Sequence, residues 1–221
     1  MTRVAKPTKA QVTRVRIIRS AIHAFSAADF KDVSLAAIAE DVGLVPQAFY
    51  RYFANKSELF EAAWIFDVDE IHHEVLAKLA PLALPSLTGD FWKTYQASVE
   101  SHPLAKKVMA SRQSDLLDKF ASLVSTAELM KKIESDLVEG QRLGILRQDQ
   151  NFSAGMRGAG YLTTHVLMPL IFEGKYMGAD WQDAVSVLVG NMFYPIPDLS
   201  TPENVDALER KMSRLISQEN L

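Results

Sequence analysis

The chain has 221 residues, 48% of them hydrophobic, which is enough to bury a sizeable core as one large domain or two small ones. It has no cysteine, so disulfides and thiolate metal sites are excluded, and a reducing, cytoplasmic setting is expected. The net charge of −3 hides an asymmetry: residues 1–60 carry nine basic and five acidic groups, net +4, and the other 161 carry 15 and 22, net −7. A basic N-terminal region on an acidic body is the electrostatic footprint of a nucleic-acid-binding module joined to something else. The first 15 residues are polar and argue against a secretory leader. The longest apolar run, Val166 to Phe172, is short and contains Pro169, so no membrane span is expected.

The first helix is predicted over residues 13–25, within a stretch from Met1 to Ala28 that holds six Lys or Arg and no Asp or Glu. Residues 34–59, SLAAIAEDVGLVPQAFYRYFANKSEL, then read as a short helix, a glycine turn, a second short helix and the capped start of a third. Ser34 suits an N-cap, with Val33 and Ile38 at the hydrophobic-staple positions around it. Leu35, Ile38, Ala39 and Val42 form one apolar stripe, and Gly43 follows where a positive φ is expected. Pro46 suits the first turn of the next helix, and Asn55 with Glu58 forms a capping pair. Two helices this short cannot bury a core alone, but they can present one helix to the major groove of DNA.

On that second helix Phe49 and Phe53 are expected to point inward and Gln47, Ala48, Tyr50 and Arg51 outward. Glutamine bonds adenine bidentately, arginine bonds guanine or phosphate, and a tyrosine hydroxyl or a lysine such as Lys56 suits a phosphate. The full set of candidate DNA contacts is Thr13, Ser34, Val45, Pro46, Gln47, Ala48, Tyr50, Arg51 and Lys56.

The rest reads as helix. A pattern over residues 56–79 places Leu59, Phe60, Ala63, Phe66, Ile71 and Val75 near helical spacing, until Pro81 and Pro85 break it. Helices follow over 90–101 and 104–111. A long one over 115–143 has Leu116, Phe120, Leu123, Leu129, Ile133 and Leu137 as core candidates. Gly144 and the polar residues 147–151 interrupt. Two unusually apolar helices, 152–174 and 180–194, and a last one over 202–218 complete an all-α chain. No segment shows sustained period-2 alternation. Asp69, His72 and His73 are read as an exposed helix face rather than a metal site. No catalytic motif, metal site or cofactor is expected.

Residues 11–60 resemble the DNA-binding domain of TetR-type transcriptional regulators. The opening helix ends in that family's apolar-plus-Phe pattern, IAEDVGL resembles its scaffold helix and turn, and FYRYFANKSELF matches the end of the recognition helix and the start of helix four. Val45, Pro46, Gln47, Ala48 and Phe49 hold the places where the family usually has a small polar residue, a variable residue, Gly-Thr and an apolar residue, and Asp29 and Val33 stand where glycine and threonine are common. The departures point to an atypical operator and leave the apolar frame intact.

The resemblance implies a three-helix helix-turn-helix domain over residues 9–55, with the motif at 34–53, and a larger helical ligand-binding and dimerisation domain over 56–221. Small residues Ala154, Gly155, Gly158 and Ala159, with Leu162, form one candidate dimer face, and Ala184, Val187, Leu188 and Asn191 the other. In the family such a pair meets its two-fold mate as a four-helix bundle, so a homodimer reading a palindromic operator is implied.

An apolar effector cavity is expected between the middle helices. Its candidate lining residues are Trp64, Phe91, Trp92, Tyr95, His102, Met109, Phe120, Tyr161, His165 and Met168. The implied function is a non-enzymatic, ligand-responsive repressor that a small, largely apolar effector releases from DNA, with helix four as the lever. The alternatives are a nonspecific architectural DNA binder and an α-helical enzyme using His102 or His165 as a base.

Overall fold

In a computed structural model of the chain, residues 7–84, 86, 90–111, 113–146 and 163–173 are described, and they form helices and turns with no strand among them. The chain divides into two compact units, one of Met1–Leu137 and Asn151–Met177 and the other of Val138–Gln150 and Gly178–Leu221. Apart from residues 138–146, the described residues lie in the first unit.

Helix α1 (Lys9–Ala27) begins earlier than its apolar pattern predicts. Thr8 and Gln11 cap it reciprocally: Gln11 N–H donates to the Thr8 hydroxyl at 3.2 Å, and Thr8 N–H donates to Gln11 Oε1 at 2.7 Å. Its buried face, Ile17, Ile18, Ala21, Ile22 and Phe25, packs on α2 and α4. A 3-10 turn (Phe30–Asp32) leads to α2 (Leu35–Asp41), which Ser34 caps by accepting Ala37 N–H at 3.3 Å. Val33 and Ile38 are both buried, as the staple predicts.

Gly43 turns the chain with φ +70°. A Cβ there would meet nothing within 4 Å, so the backbone angle and not crowding selects glycine. Helix α3 is a single turn, Pro46–Phe49, and α4 spans Lys56–Leu79 as expected. Asn55 Oδ1 accepts Glu58 N–H at 2.9 Å, but Glu58 returns its bond to Ala54 N at 2.7 Å rather than to Asn55.

Four helices follow: α5 (Asp90–Glu100), α6 (Pro103–Ala110), α7 (Ser114–Ala121) and α8 (Val124–Arg142). The single helix expected over 115–143 is therefore two. It breaks because side chains satisfy the carbonyls that end α7: the Ser122 hydroxyl donates to Lys119 O at 2.7 Å and the buried Thr126 hydroxyl to Phe120 O at 2.8 Å. Phe120, Leu129 and Leu137 are buried as expected, while Leu116, Leu123 and Ile133 are half-buried and Leu117 joins the core instead.

Gly144 (φ +71°) ends α8, with Ile145 N–H on Gly140 O at 2.9 Å. A π-helical turn (Thr163–Leu167) then leads into α9 (Met168–Phe172). Pro169 lacks the N–H that an α-helical bond to residue 165 would use, which accounts for the irregular turn. The remainder of the helix expected over 152–174, and those expected over 180–194 and 202–218, lie outside the described residues.

Candidate nucleic-acid interface

The α1–α4 frame is fixed by buried apolar contacts and by polar ties behind α3. Phe49 and Phe53 are both 1% exposed and anchor α3 and the turn after it. Arg16 donates to Val42 O, at the end of α2, at 3.2 Å. The Ser20 hydroxyl donates to Asp41 at 2.6 Å, and Arg19 pairs with Glu70 of α4 at 2.6 Å. Two of the basic side chains of α1 thus brace the fold.

Six of the nine candidate DNA contacts are contiguous on α3 and its flanks. Val45 is 63% and Tyr50 57% exposed; Pro46, Gln47 and Arg51 are also exposed, and Ala48 is half-buried. The side chains of Gln47 and Arg51 make no hydrogen bond or ion pair among the described residues, so their donors are available to a partner.

The other three have polar atoms already engaged. The Thr13 hydroxyl donates to Lys9 O at 2.9 Å within its own helix. The Ser34 oxygen caps α2 and keeps its proton to donate. Lys56 Nζ donates to Lys31 O at 2.9 Å and sits 5.0 Å from the Phe30 ring centre, which leaves two of its three N–H donors. Arg14, absent from the sequence-derived set, lies 4.8 Å over the Phe53 ring. Its positive charge invited selection, but no local pattern links residues 14 and 53.

Residues 17–63, the segment that builds this surface, match the family model of bacterial regulatory proteins of the tetR family. The N-terminal domain is therefore of the TetR type. The fold of two solved structures agrees. One, from Shewanella sp. PV-4, described as a tetR family transcription regulator, has TM-score 0.58 at 15% identity and covers 83% of this chain and 99% of its own. The other, a TetR family protein from Vibrio parahaemolyticus, has TM-score 0.53 at 15% identity and covers 83% of this chain and 100% of its own. No curated protein matches the sequence.

Residues 17–63 are accordingly a DNA-binding domain of the kind that TetR-type transcriptional regulators carry. No described helix is long and apolar enough to cross a membrane.

Behind the TetR-type domain, the effector candidates Trp64, Phe91, Tyr95, His102, Met109, Phe120 and Met168 are buried, and Trp92 is half-buried. Phe91, Trp92 and Tyr95 form one aromatic group with centroids 5.6–6.3 Å apart. His72 joins it, 6.0 Å from Tyr95 and 5.6 Å from Phe120. The expectation of an exposed face at Asp69, His72 and His73 is thus corrected: His73 is exposed, Asp69 is half-buried and His72 is fully buried, because α5, α7 and α8 close over it.

A hydrogen-bond chain holds His72. The Ser125 hydroxyl donates to Asp69 Oδ1 at 2.5 Å, so His72 Nδ1–H donates to Ser125 Oγ at 2.8 Å. His72 Nε2 is then the acceptor facing the Tyr95 hydroxyl at 3.5 Å. Burial lowers the His72 pKa to about 4, with the neighbouring His73 adding to the shift. Burial likewise pushes the Tyr95 hydroxyl up.

His102 Nδ1 bonds Ser98 O at 2.8 Å, and His165 Nε2 lies 3.3 Å from Asp118. The ligand atoms of Asp67, Glu70 and His102 lie within 4.8 Å of one another, but Asp67 spends a carboxylate oxygen on Ala105 N–H. Trp64 Nε1 is buried with no acceptor among the described residues.

A groove of about 420 Å³ lies elsewhere, between the end of α1 and α6–α7, with Phe25, Phe30, Phe60, Leu104 and Val108 among its walls. None of the ten effector candidates lines it. Tyr161 and all eight dimer-face candidates, Gly155, Gly158, Ala159, Leu162, Ala184, Val187, Leu188 and Asn191, lie outside the described residues.

Proposed function

We propose that this regulator is a cytoplasmic homodimeric repressor, released from a palindromic operator by a small, largely apolar effector. Residues 9–55 supply the DNA-binding module, and residues 56–221 the effector-binding and dimerisation body. The observation that carries the reading is the surface of α3: Gln47, Tyr50 and Arg51 project from a turn whose Phe49 and Phe53 are locked in the core.

Gln47 is assigned to a base edge, and Tyr50, Arg51 and Lys56 to the phosphate backbone. Two such helices about 34–36 Å apart read the two half-sites. The aromatic group around Tyr95, and a buried Trp64 donor with no acceptor among the described residues, support an effector site that is apolar with a few polar handles. Effector acts by population shift: it binds best to a form whose recognition helices are wrongly spaced, and α4, which starts at the DNA-binding module, transmits the change.

Titration against the chain's own promoter region and against scrambled duplex, at several salt concentrations, tests the reading. A promoter preference with a steep salt dependence is expected. Equal affinity for both duplexes would favour an architectural role, and a flat salt dependence would remove DNA binding altogether.

A further inference from the structure

Val45 breaks two local rules at once. It is the N-cap of α3, a position where Ser, Thr, Asp or Asn bonds a free backbone N–H, and no side-chain cap bond forms there. The caps of α1, α2 and α4 do use side-chain oxygens, those of Thr8, Ser34 and Asn55. Val45 also stands 63% exposed, while Val33 and Val42 nearby are both 7% exposed. The position forgoes both a cap and apolar burial inside the folded chain, so its aliphatic side chain brings no visible benefit to folding. Its neighbours Pro46 and Ala48 carry no side-chain donor or acceptor either. Around Gln47, this part of the recognition surface is therefore apolar.

Base edges in the major groove present hydrogen-bonding groups and a single apolar one, the C5 methyl of thymine. A β-branched side chain is stiff at χ1 and meets such a group with little loss of rotamer freedom. We infer that Val45 reads a 5-methylpyrimidine, thymine, in each operator half-site. The inference rests on α3 being the recognition helix, as proposed above. Burying one methyl group corresponds to about a fourfold change in a binding constant.

The test selects binding sites for the full chain from a random duplex library. The selected duplex is then remade with deoxyuridine in place of each thymine in turn, which removes the methyl and keeps the base pair. One thymine per half-site is expected to be sensitive, with affinity falling about fourfold. Val45→Ser, a change at an exposed side chain, is expected to bind the thymine and uracil duplexes equally.

Indifference to uracil at every thymine of a selected site overturns the methyl contact and leaves the recognition helix in place. Retained discrimination in Val45→Ser overturns the assignment to Val45. A duplex with 5-methylcytosine·guanine at the sensitive position that outbinds thymine·adenine moves the contact to methylated cytosine and overturns thymine. A selection that enriches no sequence overturns the regulator reading and this inference with it.

Discussion

Asp67 of α4 accepts the backbone N–H of Ala105 in α6 at 2.8 Å, across 38 residues of chain. His102, the N-cap of α6, makes no side-chain cap bond, so the cap is supplied from another helix. Asp67 is 3% exposed, and burial raises its pKa, opposed first by the Ala105 hydrogen bond and then by His102. Asp67→Ala leaves a buried N–H without a partner and is expected to cost about 1–3 kcal/mol in urea unfolding. Asp67→Asn keeps the acceptor and sheds the buried charge, so less than half that loss is expected. Equal losses in the two variants would show that the cap is not what Asp67 contributes.

His72 makes stability depend on pH. Its folded pKa is lowered to about 4 from 6.5, so the unfolded chain binds the extra proton between those values. The contribution is complete above pH 6.5 and is lost as pH falls towards 4. Between pH 7 and pH 5 the loss attributable to His72 is about 2 kcal/mol. Urea unfolding of the parent and of His72→Gln at both pH values checks this: the parent should lose that much more than the variant. Parallel losses would assign the acid sensitivity to other groups.

Local signals were the legible part of this fold. Ser34, Gly43, Pro46 and Asn55 each act within four residues of chain, and α2, the turn, α3 and α4 start where these residues place them. The inward phenylalanines and outward Gln47, Tyr50 and Arg51 follow from the same short-range spacing.

What spacing could not supply was tertiary. His72 looked like part of a solvated face because the helices that cover it are distant in sequence. The α7–α8 break depends on where the Ser122 and Thr126 hydroxyls turn, which apolar periodicity does not record. Lys56 looked like a free phosphate ligand until the Lys31 carbonyl was beside it.

That tie separates two substitutions at the DNA face. The Gln47 side chain has no bond to lose among the described residues, so Gln47→Ala should leave stability unchanged. It should cost about 1–3 kcal/mol at the cognate site and relax preference at one base pair. Uniform weakening across sequences would remove Gln47 as a base reader. Lys56→Ala should lower the slope of log affinity against log salt by about one unit, with little change in preference. It should also lower the melting temperature slightly, since the bond to Lys31 O goes with it. An unchanged slope with a lowered melting temperature would leave Lys56 a purely structural role.

Lys107 of α6 donates to Phe25 O at 3.1 Å and to Ala28 O at 2.7 Å. Helix α1 ends there with no basic residue in its own last turn, so the cation at the negative end of its dipole comes from α6. The ammonium is exposed, which keeps the interaction modest and screened by salt. Lys107→Met should destabilise the chain by about 0.5–1 kcal/mol at low salt. Lys107→Arg, which keeps the charge and the donors, should lose less. In 1 M salt the gap between parent and Lys107→Met should narrow, because screening weakens the charge–dipole part and spares the geometry of the hydrogen bonds. A salt-independent gap, read from urea midpoints at both ionic strengths, would instead assign the effect to the lost hydrogen bonds and packing of the lysine stem.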